Sequence, residues 1–197
     1  MLERIPEITR DTGISKEKSI PFAEDKNYTH SSLKYHHLPR LARESEELID
    51  QAVEVRQNDI EVLDKSSKKR FLKTLGLGPC ILLCVTKPDE EKVGAIHFDV
   101  GSNVTVLTEE LMKRLNTKDF EGFEITLVGG IGEMKPSEEL HEGIKKFFED
   151  KKVLIGDDQA MGISESDYRG YILEDYVPML VYQSVIVDKK TGQMLSF

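Results

Sequence analysis

Residues 80–100 read CILLCVTKPDEEKVGAIHFDV, two apolar runs separated by the acidic segment PDEEK. Runs of branched apolar residues on either side of a proline-containing turn are typical of a β-hairpin. We therefore predict one strand over residues 80–87 and a returning strand over 93–100. A hairpin brings the start of its first strand beside the end of its second, so Cys80 and His97 are predicted to lie close together.

The elements predicted on either side of this hairpin do not follow a regular strand-helix repeat, and this order favours an α+β fold with layered mixed or antiparallel β-sheets and flanking helices. Strands are predicted at 103–107 (NVTVL), 123–130 (FEITLVGG, ended by Gly129 and Gly130), 152–158 (KVLIGDD) and 179–188 (MLVYQSVIVD). Helices are predicted from Thr108 to Leu115 and from Pro136 onward, the second with Leu140, Ile144, Phe147 and Phe148 as its apolar stripe. A terminal hairpin is predicted around Gly192.

The first seventy residues differ from the rest in their pattern of apolar residues and prolines. Residues 1–43 contain scattered prolines and no sustained period, which predicts an irregular arm. Residues 44–70 are interpreted as a helical extension, with a helix over 44–64 whose apolar stripe either packs on the domain or covers a pocket or partner. Residues 71–197 are interpreted as the functional domain.

Charge and cysteine content limit the function classes. The net charge of −9 and a pI near 5.2 disfavour binding to nucleic acid or anionic lipid. No apolar stretch approaches the ~20 residues of a membrane span, and the first residues lack a secretory signal. We expect a cytoplasmic protein without membrane insertion, or an effector delivered without a cleavable signal. Cys80 and Cys84 are expected to be reduced, because four residues of strand separate them too far for a disulfide.

The residues around Cys80 would suit a nucleophile. Gly76 and Gly78 permit unusual backbone angles that expose amide groups, and such amides can form an oxyanion hole beside the thiol. His97 is the predicted group that lowers the pKa of Cys80 below its ordinary value of about 8.5. Asp99 lies on the same side of the strand as His97, where it either supports the histidine or forms a solvated strand end. From these residues alone a buried core thiol is the first interpretation of Cys80, and it is our interpretation of Cys84 as well.

These motifs together resemble one family. The residues are Thr74, the stretch LGLGPC, the Cys-x3-Cys pair, GAIHF, ITLVGGIGEM and the closing TGQML, and over about 71–197 they resemble the CheD family of chemoreceptor glutamine deamidases. The resemblance implies a CheD-like cysteine hydrolase fold, similar to that of the cytotoxic necrotizing factor deamidases. It further implies that Cys80 is the nucleophile, that His97 is the general base and acid, and that Thr74 orients the histidine.

The activity implied by the resemblance is that of a hydrolase acting on a linear amide. It converts a glutamine of a target protein, either a chemoreceptor or another regulatory protein, to glutamate through a thioester, and it needs no cofactor and no metal. If an amine reaches the thioester first, the outcome is transamidation. An inactive relative that only binds a partner is the main alternative, because Pro79 stands where the family usually has serine and lacks a backbone N–H. A metal-dependent hydrolase using His30, His36 and His37 is a further alternative.

Overall fold

The computed structural model describes residues 22–23, 38–42, 45, 47–164 and 184–197. It confirms the α+β class. The helices are α1 (Glu47–Gln51), α2 (Val104–Arg114) and α3 (Lys135–Asp150). The strands are β1 (Phe22–Ala23), β2 (Arg40–Leu41), β3 (Val53–Glu54), β4 (Ile60–Leu63), β5 (Phe71–Thr74), β6 (Ile81–Lys87), β7 (Lys92–Phe98), β8 (Glu124–Gly132), β9 (Asp157–Ser164), β10 (Val185–Asp188) and β11 (Met194–Ser196). None of these helices is long and apolar enough to cross a membrane.

The strands form two sheets that pack face to face between layers of helix. The six-stranded sheet has the order β1-β2-β11-β10-β5-β3, and the five-stranded sheet has the order β4-β7-β6-β8-β9. Apolar residues of both sheets, including Leu72, Leu82 and Val185, form the core between them. Helices α2 and α3 cover the outer face of the five-stranded sheet, and α1 covers the outer face of the other.

The hairpin predicted from residues 80–100 is confirmed. Strands β6 and β7 pair antiparallel with Ile81 opposite Phe98 and Leu82 opposite His97. A short 3₁₀ helix, Pro88–Glu90, makes the turn between them. Side chains alternate along each strand. Leu82 and Ala95 therefore face the six-stranded sheet, while Ile81 and Phe98 face the helices.

Helix α3 and the terminal hairpin are confirmed as well. The four residues predicted as the apolar stripe of α3 are all buried, and proline occupies its first turn. Strands β10 and β11 pair antiparallel, and the turn between them contains Gly192 with a φ of +70°. Residues 179–183 of the predicted strand before this turn lie outside the described residues.

The helix predicted over 44–64 is largely wrong. Helix α1 ends at Gln51; β3 then pairs with β5, and β4 pairs antiparallel with β7. The apolar residues between 53 and 62 recur every second position on either side of a turn at Asn58, whose φ is +62°. This period is that of strands. The division of the chain at residue 70 stays a prediction. Residues 44–70 contribute β3 to the six-stranded sheet and β4 to the five-stranded sheet.

Three further boundaries differ from the predictions. Residues 104–107 begin helix α2 instead of forming a strand, because the Asn103 side chain accepts a hydrogen bond from Val106 N and caps the helix; Thr108 is therefore interior. Strand β8 runs through Gly129 and Gly130 to Gly132 instead of ending at the glycines. Residues 152–156 precede β9, since Val153 N bonds Phe148 O and folds the chain against the end of α3.

A buried carboxylate holds the terminal hairpin to the six-stranded sheet. Asp188 is fully buried and accepts hydrogen bonds from Arg70 Nε at 2.8 Å and Arg70 Nη2 at 2.6 Å. It also accepts one from the Thr191 hydroxyl in the turn. The bidentate pair joins β10 to the residue that precedes β5.

Replacing this carboxylate should destabilise the fold strongly. We expect Asp188→Asn to lower the free energy of unfolding by about 2 kcal/mol, because the buried carboxylate loses its charge-assisted hydrogen bonds with Arg70, whose side chain is 34% exposed. Urea unfolding followed by circular dichroism measures the change. Glu54→Gln is the matched control, because it removes the exposed ion pair with Arg56 and should shift stability by less than about 1 kcal/mol. Equal losses in the two variants would contradict the assignment.

Candidate active site

A polar bridge joins the two sheets at one end of the core between them. Thr74, the last residue of β5, and His97 of β7 are both buried. Thr74 Oγ1 lies 2.8 Å from His97 Nδ1, and the same hydroxyl donates to Val55 O at 2.8 Å. Thr74 belongs to the six-stranded sheet and His97 to the five-stranded sheet, so this hydrogen bond crosses the interface.

These two bonds determine the tautomer of the histidine. The Thr74 hydroxyl has one proton, which it donates to the Val55 carbonyl. Its bond to His97 is made at the same time only if Nδ1 carries a proton and donates it to Oγ1. The neutral ring then has an unprotonated Nε2. That atom is buried and has no hydrogen-bond partner among the residues that the structure describes.

Burial lowers the pKa of His97, because the charged imidazolium loses its hydration, although the Val55 carbonyl and Asp99 both oppose this change. The ring is therefore neutral at pH 7. A neutral imidazole with a free, buried Nε2 is equipped to accept a proton from a neighbouring acid.

Cys80 lies on the same face of the sheet as His97. Leu82 is opposite His97, so continuing the register by two residues places Cys80 opposite Asp99 and diagonally across from His97. In this structure the sulfur is hydrogen-bonded to two side chains, and neither is His97. Gln57 Nε2 donates to Sγ at 3.6 Å, and the thiol donates to Asp99 Oδ1 at 3.8 Å.

The expected lowering of the Cys80 pKa is wrong for this arrangement. Burial raises the pKa of Cys80 to about 11, and the charge of Asp99 and its hydrogen bond add to the effect, while Gln57 acts in the opposite direction. Cys80 as a residue is only 4% exposed. Cys80 and His97 are therefore both neutral at pH 7, and a protonated thiol becomes nucleophilic only when a base removes its proton. Burial alone raises the pKa of Cys84 to about 12, as suits a core thiol.

The backbone of Cys80 is held by β8 and α3. Gly130 N donates to Cys80 O at 2.8 Å, and a side chain at Gly129 would place its Cβ 2.5 Å from the same oxygen. Ser137, buried in the first turn of α3, donates to Pro79 O at 2.7 Å. The consecutive glycines thus permit the close approach that fixes the main chain of Cys80.

The other predicted site residues are placed as follows. Gly76 has a φ of +71° and begins the turn before Cys80, while Gly78 lies two residues before it. The oxyanion hole assigned to this turn stays a prediction. The Asp99 carboxylate accepts a hydrogen bond from the Cys80 thiol. It does not support His97 through Nδ1, because that atom is hydrogen-bonded to Thr74. His30, His36 and His37 lie outside the described residues.

Sequence reasoning did not find Val55, Gln57 and Ser137. The first two fall in the segment misassigned as helix, where the alternation of apolar residues on either side of Asn58 was the available signal. Ser137 falls at the start of the helix predicted from Pro136 onward. Its anchoring bond to Pro79 has no sequence signature, because the two residues are 58 positions apart.

Comparison with known proteins adds no assignment to this geometry. The chain matches no protein-family model, and a search of curated proteins finds no match.

The carboxylate of Asp99 should suppress thiol reactivity. We expect Asp99→Asn to lower the pKa of Cys80 and to raise its rate of iodoacetamide labelling at pH 8 roughly threefold or more, because a neighbouring negative charge disfavours the thiolate. For both proteins the rate should still increase with pH, since the thiol is protonated at neutral pH. Peptide mass spectrometry locates the label. Asp89→Asn, in the β6–β7 turn, is the control, and an equal increase there would refute the effect.

The Thr74 hydroxyl should control both stability and the histidine tautomer. We expect Thr74→Val to lower the free energy of unfolding by about 1–3 kcal/mol, because Val55 O and His97 Nδ1 lose a buried partner. The ¹⁵N chemical shifts of His97 should change from those of an Nδ1–H ring, whereas Thr74→Ser should preserve them. An unchanged tautomer in Thr74→Val would contradict the hydrogen-bond assignment.

Proposed function

We propose that this chain is a cysteine-dependent protein glutamine deamidase, a hydrolase of linear amides with a CheD-like fold. One observation carries the proposal: the bonds from Val55 and Thr74 leave His97 Nε2 unprotonated, buried and without a partner among the described residues, on the sheet face that carries Cys80. A neutral imidazole with a free Nε2 can act as a general base, and the Cys80 thiol is the acid that it would deprotonate. The resemblance of residues 71–197 to CheD deamidases supports the same roles.

The first half of the reaction begins with a neutral thiol. The S–H turns from Asp99 to His97 Nε2, which takes the proton as Sγ attacks the side-chain carbonyl carbon of a target glutamine. A C–S bond forms, and the carbonyl electron pair moves to oxygen. Collapse of this tetrahedral intermediate breaks the C–N bond, and the imidazolium returns its proton to the leaving nitrogen, which departs as ammonia.

The second half hydrolyses the thioester. His97 takes a proton from water, the water oxygen attacks the thioester carbon, and the C–S bond breaks. The proton returns to sulfur, and the target carries a glutamate in place of its glutamine. Because the product gains a negative charge, the reaction is suited to switching a regulatory protein.

The proposed partner is a protein that presents an exposed glutamine, either a chemoreceptor or another regulatory protein, in the cytoplasm or after delivery as an effector. Leu75 and Val100 are 45% and 39% exposed, and they directly follow Thr74 and Asp99 in the chain. We assign these two side chains to the surface that the target protein would contact.

A binding module without catalytic activity is the second candidate. The observation that favours it is the sulfur environment, because burial and Asp99 raise the pKa of Cys80 to about 11. In that case Cys80 is a core thiol and the target is bound without being changed.

Deamidation should depend on both members of the pair. We expect the protein to release ammonia from a desalted protein extract and to convert particular glutamines to glutamates. Cys80→Ala and His97→Gln should each reduce this rate at least ~100-fold, because the nucleophile and its base act as one unit. Ammonia release and the mass shift of glutamine peptides are the two measurements.

Cys84→Ala is the matched control, because Cys84 lies in β6 four residues after Cys80 and makes no side-chain hydrogen bond to His97 or Asp99 in the described structure. It should keep the activity. Activity that survives in Cys80→Ala would contradict the proposal. Binding of a partner by Cys80→Ala with no chemical change in either protein would support the binding module.

A further inference from the structure

A carboxamide side chain lies directly on the sulfur of Cys80. Gln57 belongs to the turn between β3 and β4, and its Nε2 donates to Sγ at 3.6 Å. Its backbone is fixed at the site, since Gln57 forms a parallel β-bridge with His97 and Asn58 N donates to His97 O at 2.8 Å. The segment that holds the amide is therefore attached to the strand that carries the base.

We propose that Gln57 Nε2 is the side-chain donor that stabilises the oxyanion formed when Cys80 attacks a carbonyl. The inference rests on the proposed function and adds a catalytic residue to it. A donor serves this purpose when it is directed at the position that the oxyanion will occupy. During attack the carbonyl oxygen is only one atom removed from sulfur, so a donor already in contact with Sγ is next to that position.

Pro79, the residue before Cys80, is a reason why a side-chain donor would be needed in an oxyanion hole here. Pro79 has no backbone N–H, so this position of the turn contributes no amide to an oxyanion hole. The Gln57 amide is neutral at all working pH values and does not compete for the thiol proton. Its donation also opposes Asp99, whose carboxylate disfavours negative charge in the same place.

The orientation of Gln57 distinguishes a donor from a trapped substrate. A glutamine about to be deamidated presents its carbonyl carbon to the sulfur, with the amide nitrogen as leaving group. In this structure the nitrogen itself is the atom bonded to Sγ. Gln57 is therefore placed to interact with the charge on an attacked carbonyl and not to be attacked.

Two reagents separate this role from general effects on the thiol. Under the proposed mechanism p-nitrophenyl acetate should acylate Cys80: a C–S bond forms, p-nitrophenolate leaves, and the thiol proton passes to His97. This reaction has an oxyanion, whereas alkylation by iodoacetamide does not. We expect Gln57→Ala and Gln57→Glu to lower the ratio of acylation rate to alkylation rate by about 100-fold. Gln51→Ala, exposed on α1, is the matched control and should leave the ratio unchanged.

The outcomes are separable, with Cys80→Ala as the blank and peptide mass spectrometry locating each adduct. If wild-type Cys80 is acylated and the ratio is unchanged in both Gln57 variants, the donor role is overturned and the proposed function stands. If wild-type Cys80 is not acylated, the proposed function is overturned and the donor role with it. Conversion of Gln57 to glutamate in the wild type but not in Cys80→Ala would overturn the donor role, because Gln57 would then be a substrate.

Discussion

The hydrogen bond between Thr74 Oγ1 and His97 Nδ1 is the interaction on which the candidate site depends. It crosses an interface between two sheets whose other contacts are mainly apolar. A buried imidazole in such a place is costly unless its polar atoms are bonded. One ring nitrogen is satisfied through Thr74 and Val55, while the other, Nε2, is not. The sheet packing thus stabilises one tautomer and leaves one unsatisfied atom, which is a cost that a purely structural histidine does not need to bear.

The thiol and the imidazole are both kept neutral, but for opposite reasons. Burial disfavours the thiolate and raises the pKa of Cys80, and the same burial disfavours the imidazolium and lowers the pKa of His97. A preformed ion pair is therefore not the resting state. In the reaction that we propose, proton transfer would therefore occur as the bond to carbon forms, and stabilisation of the developing oxyanion would contribute more than thiolate activation.

The sequence predicted those elements whose apolar period and turn residues are typical of the secondary structure that they adopt. The β6–β7 hairpin and α3 have the period and turn residues of their class, and they place Cys80 near His97. The segment around Val55 was misassigned, because five apolar residues over 44–64 also fit a helical stripe. NVTVL has the β-branched composition of a strand, yet the Asn103 cap makes it helical. Contacts between distant segments, such as Ser137 with Pro79, and the pKa of Cys80 depend on packing that no local pattern specifies.

The route of the chain through residues 53–63 explains why the site forms where it does. Strand β3 belongs to one sheet and β4 to the other, so the chain must cross between the sheets from Val55 to Asp59. At a crossing the backbone leaves regular pairing, and its polar groups need partners. The Val55 carbonyl accepts a hydrogen bond from the Thr74 hydroxyl, and Asn58 N donates one to the carbonyl of His97. The crossing thereby places Gln57 against Cys80, and a segment interpreted from sequence as an extension becomes one wall of the site.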